Sequence, residues 1–403
     1  MPGAGPSRSR WLVLAAFAAL VASTQVLWLA FAPITEQAHR SLGVSEGAIG
    51  ELAVINPLMF VLLAIPTGRW MDRRFGPALA TGALLTATGA LLRVVDPSSY
   101  GWVFAGQLVL SAGQPFVLNA STKLAARYFP PEERTAAISV ASGAQFVGIL
   151  AAALSGTALV DAGGLDLVLT VHAGFAAAAA LAVLATLRTP PLTATAPAPS
   201  APSLGWLRQD PLMWRLAALL FVGVGVFNAV ATWLDTILVD LGHSGVAGNL
   251  IAVMTAAGIA GAAVVPGWAA RRNGRRRVLL ATTMCTVASF LAIALVHDVL
   301  FVGVVLAVEG FLLLAGLPVA LDWSELESGA DRAATATGFL LLAGNLGGVV
   351  LVLVVQALIG NPYLALVAMS VLAVPGVLVA SRLPGRAGSH VHHDQPRPEA
   401  MPA

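Results

Sequence analysis

Residues 63–80 read LAIPTGRWMDRRFGPALA: an apolar run ends in Gly68-x-x-x-Asp72-Arg73-Arg74-x-Gly76 and turns apolar again at once. Charges packed between two apolar segments are costly unless they lie where water meets a membrane. The composition agrees. Of the 403 residues, 58% are hydrophobic and 10% charged, against about 25% charged in an average soluble domain. Mean hydropathy is +0.84. A soluble chain this apolar would lack the polar groups to cover its surface, so the class is integral membrane protein. Cys285 is the only cysteine, which excludes an intrachain disulfide and a cysteine-based metal site.

A spanning helix needs about 20 mostly apolar residues. Twelve such runs follow one another: 11–35, 47–71, 78–95, 101–123, 136–159, 167–187, 212–240, 246–270, 278–296, 299–322, 333–358 and 362–381. The first follows Ser-Arg-Ser-Arg and is too long for the apolar region of a signal peptide, so it is read as helix 1. The expected fold is all-α and polytopic, with twelve transmembrane helices in two pseudo-symmetric six-helix bundles. The first bundle takes residues 1–187 and the second 212–381. Between them, 188–211 contain TPPLTATAPAPSAPS and read as a Pro/Ala/Ser linker. Residues 382–403 read as a disordered tail, in which His-Val-His-His-Asp at 390–394 is a solvated stretch rather than a metal site.

With an even number of spans, all of the 22 Lys and Arg except Arg40 and Arg93 fall on the side of the termini and linker. The positive-inside rule then places both termini in the cytoplasm of a cell-membrane protein, and the opening stretch becomes the cytoplasmic turn between helices 2 and 3. The halves also repeat. Gly267-Trp-Ala-Ala-Arg271-Arg272-Asn-Gly274 lies 199 residues after Gly68, and the same offset relates Leu42-Gly43 to Leu241-Gly242 and Glu36 to Asp235. An offset of 198 relates Glu133-Arg134 to Asp331-Arg332. Four matches in register argue for a duplicated bundle.

Gly68-x-x-x-Asp72-Arg73-x-x-Gly76, its degenerate copy at Gly267, twelve helices and a central linker resemble the major facilitator superfamily of secondary transporters. The resemblance implies a gate formed by Gly68, Asp72, Arg73, Gly76, Arg134, Gly267, Arg271, Arg272, Asp331 and Arg332. Its physical logic is that Gly68 permits close helix approach, and that Asp72 suits the amino end of a neighbouring helix, helix 11 being the expected one. Arg73 and Arg74 are placed to meet anionic headgroups or Glu132 and Glu133. Asp322, Glu325 and Glu327 are read as gate partners for Arg332 or Arg271.

A narrower resemblance runs through WLVLAAFAALVASTQVLWLAFAPIT, AGQPFVLNASTKLAARYFPPEERTAAIS, GVFNAVATWLDTIL and GLPVALDWSELES. These are similar to the feline leukaemia virus subgroup C receptor-related branch, associated with choline, ethanolamine and haem transport. On that alignment Trp28 matches a helix-1 substrate tryptophan and Gln145 a helix-5 glutamine. Asn228 falls where the branch has a cage-closing tyrosine.

Polar groups inside apolar helices are expensive unless they pair or face water. The candidates for a solute pathway are Gln25, Trp28, Asn56, Gln114, Asn119, Gln145, Asn228, Asp235, Glu309 and Asn345. For a lone Asn or Gln the competing reading is an interhelical hydrogen bond. Trp28 reads as lying well inside helix 1. Glu309, with apolar neighbours in VLAVEGFLLL, is costly to ionise and is the main candidate coupling group, with Asp235 second. No Lys or Arg is expected at mid-membrane, since Lys123 and Arg93 lie at helix ends. An anion would need such a cation to replace its hydration, so a cation, zwitterion or neutral solute is favoured.

The expected function is secondary active or facilitative transport of a small organic cation or amine, choline-like, by alternating access. The alternatives are proton-coupled export of drugs or metabolites, haem or porphyrin transport, and a receptor or channel. No His-Glu-x-x-His, Gly-x-Ser-x-Gly or phosphate-binding loop is present, so no enzyme is read. The expected partners are a small-molecule solute, the lipid bilayer and protons as a coupling ion. Neither a cofactor, a metal nor a nucleic acid is expected, and the protein reads as a monomer.

Overall fold

The computed structural model describes residues 7–192, 204–243, 245–358 and 360–385. The chain forms α1 Ser7–Leu29, α2 Glu46–Arg73, α3 Phe75–Val95 and α4 Tyr100–Tyr128. The helix Pro131–Thr186 follows, broken at Gly163 and Gly164 into α5 (131–162) and α6 (165–186). The second half contains α7 Pro211–Asp240, α8 Ala247–Arg271, α9 Arg275–Leu295, α10 Val299–Ser328, α11 Ala333–Gln356 and α12 Pro362–Ser381. These are twelve spans in two bundles of six. The centre of the linker and the end of the tail, including His-Val-His-His-Asp, lie outside the described residues.

The helix boundaries have local causes. Asp210, Asp298 and Asn361 each accept hydrogen bonds from backbone N–H groups in the first turns of α7, α10 and α12, satisfying donors that no helix can pair internally. Gly164 takes φ +69°, open to glycine at no steric cost, and this turns the chain back between α5 and α6. The repeat is visible in the backbone. Gly43 (φ +64°) and Gly242 (φ +89°), 199 residues apart, each turn the chain after a helix.

Helix 1 ends earlier than its apolar run. Instead of continuing to 35, α1 stops at Leu29, followed by a 3-10 turn Ala32–Ile34 and a short helix Thr35–Leu42. Pro33 explains this, because it lacks an N–H and disfavours helical backbone in the residue before it. Trp28 therefore lies one residue from the end of α1, not well inside it. At 1.5 Å per residue it sits roughly 27 Å from Arg10, in the outer third of a span about 30 Å thick.

Within the halves, α1 packs along α5, α3 along α4, α7 along α11 and α8 along α10. The halves meet where α2 crosses α11 and where α5 meets α8. Large apolar side chains stand exposed around the sides, among them Leu84, Leu181, Leu295, Leu300 and Leu378, as a lipid-facing surface requires.

Candidate functional site

The quoted stretch closes one end of the bundle, and its chemistry is helix capping supplied from the other half. The N-cap residue of α11, Arg332, makes no side-chain cap. Asp72 of α2 takes that role. Its carboxylate accepts from the backbone N–H of Ala334 (3.0 Å) and Thr335 (2.9 Å) and from the Thr335 hydroxyl (2.6 Å). A carboxylate is favoured there because the amino end of a helix carries partial positive charge and unpaired donors. Lys123 Nζ lies 3.4 Å from Asp72 Oδ1 and donates to Ala330 O at 2.5 Å, so this fully buried cation (1% exposed) is neutralised.

Close packing accompanies the polar contacts. A Cβ on Gly68 would fall 2.9 Å from both Ala334 O and Thr335 Cα. One turn further along, a Cβ on Gly338 would fall 2.7 Å from Ala64 O. Thr122 of α4 donates to Ala333 O (3.0 Å) and shares a hydrogen bond with Thr337 (2.6 Å). Arg134 Nη1 donates to Glu325 Oε1 (2.9 Å), and Thr135 to Asp322 Oδ1 (2.6 Å), whose other oxygen accepts from Arg275 Nε (2.6 Å). All of these except the Arg275 bond join one half to the other, so this end is closed.

Several expected gate partners are arranged otherwise. Glu325 meets Arg134, and Asp322 meets Arg275, rather than Arg332 or Arg271. Glu133 meets Arg10, leaving Arg73 and Arg74 exposed. Arg271, Arg272 and Asp331 are exposed, and Arg332 lies over the Trp206 ring at 5.2 Å. Gly76 and Gly267 touch no other segment closely. The copy at Gly267 has Arg271 where Asp72 stands, so it has no carboxylate with which to cap a helix. Replacing Gly68 with Val should force α2 and α11 apart at backbone atoms that have no room to yield. Alkylation of a cysteine at Thr122 should then rise several-fold, with a smaller effect from Ala.

The membrane-depth candidates divide into spent and open groups. Asn56 Oδ1 accepts from Gln107 Nε2 (3.1 Å) and from the Ser111 hydroxyl. Asn119 Nδ2 donates to Ala64 O (2.7 Å) and Thr67 Oγ1 (2.9 Å), tying α4 to α2. Glu309 is 0% exposed and faces α9, where its carboxyl oxygens accept from Thr286 (2.6 Å) and Ser289 (3.2 Å). Asp235 is exposed near the end of α7.

The open groups form two sets. In the first half, Trp28 is half-buried, and its indole N–H donates to Ala53 O of α2 (2.9 Å), fixing the ring. Gln145 Nε2 is buried without a partner, as are the hydroxyls of Ser139 and Ser142. These recur at every third residue along α5, a stripe that the sequence reading missed. Gln25, across the α1–α5 contact at Gly148, bonds only Thr24 (3.3 Å) among the described residues. Gln114 is buried with no side-chain hydrogen bond among the described residues. In the second half, Asn228 lies against α11, its Nδ2 only 2.3 Å from where a Cβ on Gly348 would stand. Asn345 spends one N–H on Leu341 O (2.9 Å). A cleft of about 500 Å³, walled by Ala18, Ala22, Ser139 and Val147 with Ile259 and Ala263 of α8, opens where the halves meet.

Lys123 and Arg93, read as helix-end charges, are both fully buried. Arg93 points into the first half, where Nη1 donates to Leu27 O (3.1 Å) and Gln107 Oε1 (3.3 Å). Both stand near helix ends, as expected, but neither is a solvated end charge, and Arg93 reaches the backbone of Leu27, the neighbour of Trp28.

Comparison with known proteins completes the description. The pattern of the Major Facilitator Superfamily matches residues 11–352. The chain is 31% identical over 379 residues to Solute carrier family 49 member A3 of Danio rerio, covering 87% of this chain and 79% of that protein. It is 22% identical over 386 residues to the choline/ethanolamine transporter FLVCR2 of Homo sapiens, covering 88% and 73%. The human organic anion transporter MFSD10 has a similar structure, with a TM-score of 0.76 at 15% identity, covering 93% of this chain and 100% of that one. FucP in its outward conformation gives 0.74 at 16%, covering 93% and 99%. Twelve spans, a duplicated bundle and a helix-capping latch thus meet a family match over most of the sequence: this chain belongs to the Major Facilitator Superfamily of transporters and is related to its FLVCR branch.

Proposed function

We propose that this transporter moves a small amine-bearing organic cation by alternating access, with the solute held in the outer third of the pathway beside Trp28. The observation that carries the reading is the indole at Trp28, tied through its N–H to Ala53 with part of the ring left accessible. A fixed aromatic face attracts an ammonium group. The amide oxygens of Gln145, Gln114 and Asn228 are the acceptors such a group would need, and the relation to FLVCR2, a choline/ethanolamine transporter, supports the same solute class. Asn228 stands where the branch has an aromatic residue, so an N–H-bearing amine suits the site better than a fully methylated ammonium. Asp72, Arg134 and their partners act as the cytoplasmic gate, with both termini in the cytoplasm of the cell membrane, as the distribution of Lys and Arg supports. The protein works as a monomer. Purified protein in liposomes should exchange labelled ethanolamine without ATP and exchange choline less well. Equal indifference to both solutes would refute the amine reading.

Proton coupling is the second reading, favoured by Glu309, a buried carboxyl with hydroxyl partners and no cation partner among the described residues. If it carries the coupling proton, a pH gradient should drive accumulation in the wild type. Glu309→Gln should then lose that accumulation while retaining exchange. Wild-type flux indifferent to the gradient would identify a facilitative carrier.

A further inference from the structure

We propose that the outer third of the first half holds a resident small monovalent anion on the Arg93 guanidinium, with chloride as the matching probe. This site neighbours the solute site proposed above, since Arg93 reaches the carbonyl of Leu27 beside Trp28, but the argument for it does not depend on that reading.

Charge balance is the first argument. A guanidinium stays protonated in proteins, and a buried ion without a partner is strongly unfavourable. Arg93 is 1% exposed and makes no ion pair among the described residues. The other two buried cations among the described residues differ: Lys123 meets Asp72 and Arg275 meets Asp322. The Phe31 ring, 4.7 Å from the guanidinium carbon, offers only a weak counter-field.

Hydrogen-bond bookkeeping is the second, independent argument. Arg93 Nε and Nη2 are buried without a partner, as are Asn56 Nδ2 and His172 Nδ1. Three acceptors of this neighbourhood are already engaged. Leu27 O and Gln107 Oε1 receive Arg93, and Asn56 Oδ1 receives Gln107 and Ser111. His172 Nε2 shares a hydrogen bond with the Ser155 hydroxyl (3.4 Å), and its unpartnered Nδ1 is donor or acceptor according to the tautomer. Donors are left over and negative charge is missing. Water would satisfy donors but not the charge. A single small anion would satisfy both.

The size and charge of the ion follow from the surroundings. Leu27, Ala90, Leu110, Ala173 and Ala176 form an apolar cluster beside the site, and α3 and α4 approach so closely that a Cβ on Gly106 would fall 2.6 Å from Arg93 Cγ. A multivalent oxyanion would bring more charge than one guanidinium balances and would keep most of its hydration cost. Chloride carries one charge and is compact.

The test is the unfolding midpoint of the purified full-length protein in sodium chloride against sodium gluconate at equal ionic strength. Binding to the native state should raise the midpoint by a few degrees, saturably, and bromide should substitute. Arg93→Gln should unfold at the same temperature in both salts. Gln107→Glu keeps the guanidinium but places a carboxylate where the neutral amide accepts its hydrogen bond. It should be stable in gluconate and insensitive to chloride, which keeps the proposal testable even if Arg93→Gln fails to fold. A wild-type midpoint indifferent to halide, or a Gln107→Glu protein that keeps the full chloride response, would overturn the site.

Discussion

Asp72→Asn should abolish most transport while leaving the fold nearly intact. The carboxylate makes two bonds to backbone N–H groups at the start of α11 and one to the Thr335 hydroxyl. Hydrogen bonds to a charged group contribute about 1.5–3 kcal/mol each. An amide keeps the shape but loses the charge, and its NH₂ presents donors to a cluster of donors. Lys123 also loses its counter-charge while staying buried. A combined loss of about 3 kcal/mol in the closed state shifts the ratio of closed to open molecules more than about 100-fold. Opening that parts α2 from α11 removes the capping bonds in wild type and variant alike, so the capping loss falls on the closed state. In a Cys285→Ser background, a cysteine at Thr122, whose hydroxyl bonds Ala333 O and Thr337, should be alkylated far faster in the Asn protein. Solute exchange should fall more than solute affinity. Adding Lys123→Gln removes the stranded cation and should restore thermal stability without restoring transport. Unchanged labelling and unchanged flux together would show that the contact is packing, not a gate.

The latch was legible because a short polar insert between two apolar runs has few solutions. Gly68, Asp72 and the repeat at Gly267 could be read as a unit, and a carboxylate beside a helix start is favoured in any membrane protein. The partners of the surrounding ions were not legible. Glu325 and Asp322 lie three residues apart on one helix face, and which arginine reaches each depends on how the two bundles rotate against one another. The rotation of α10 was equally hidden. A helix that is apolar all round has no face to read, so nothing in VLAVEGFLLL shows that Glu309 turns toward α9 rather than toward the other half. The end of α1 was legible but unused, since Pro33 marks it. Arg93 is the opposite case. Its place two residues from the end of α3 suggests an interface charge, and only the glycine-lined contact of α3 with α4 buries it.

Trp28→Ala should weaken amine binding about tenfold, the equivalent of roughly 1.4 kcal/mol. That lies within the range of about 0.5–2 kcal/mol for a cation over an indole face. The substitution also removes the bond from Nε1 to Ala53 O, which contributes about 0.5–1.5 kcal/mol to stability rather than to affinity. The two effects need separating, and the second half supplies the control. Trp233 is also half-buried and donates through Nε1 to Val352 O of α11 at 3.0 Å, so it ties α7 to its neighbour as Trp28 ties α1. Trp233→Ala should lower the unfolding midpoint about as much as Trp28→Ala but leave solute affinity near the wild-type value. Trp28→Phe retains an aromatic face without the N–H anchor and should recover part of the affinity, with the ring less well held. Asn228→Tyr supplies a second ring where the related branch has one. It should raise affinity for choline relative to ethanolamine, because a quaternary ammonium gains from an aromatic partner and has no N–H to give to an amide. Direct titration of the purified proteins with both amines measures all four variants. If Trp28→Ala binds and carries ethanolamine as the wild type does, or if both tryptophan variants lose affinity in step with stability, the indole is a structural brace and the amine reading fails.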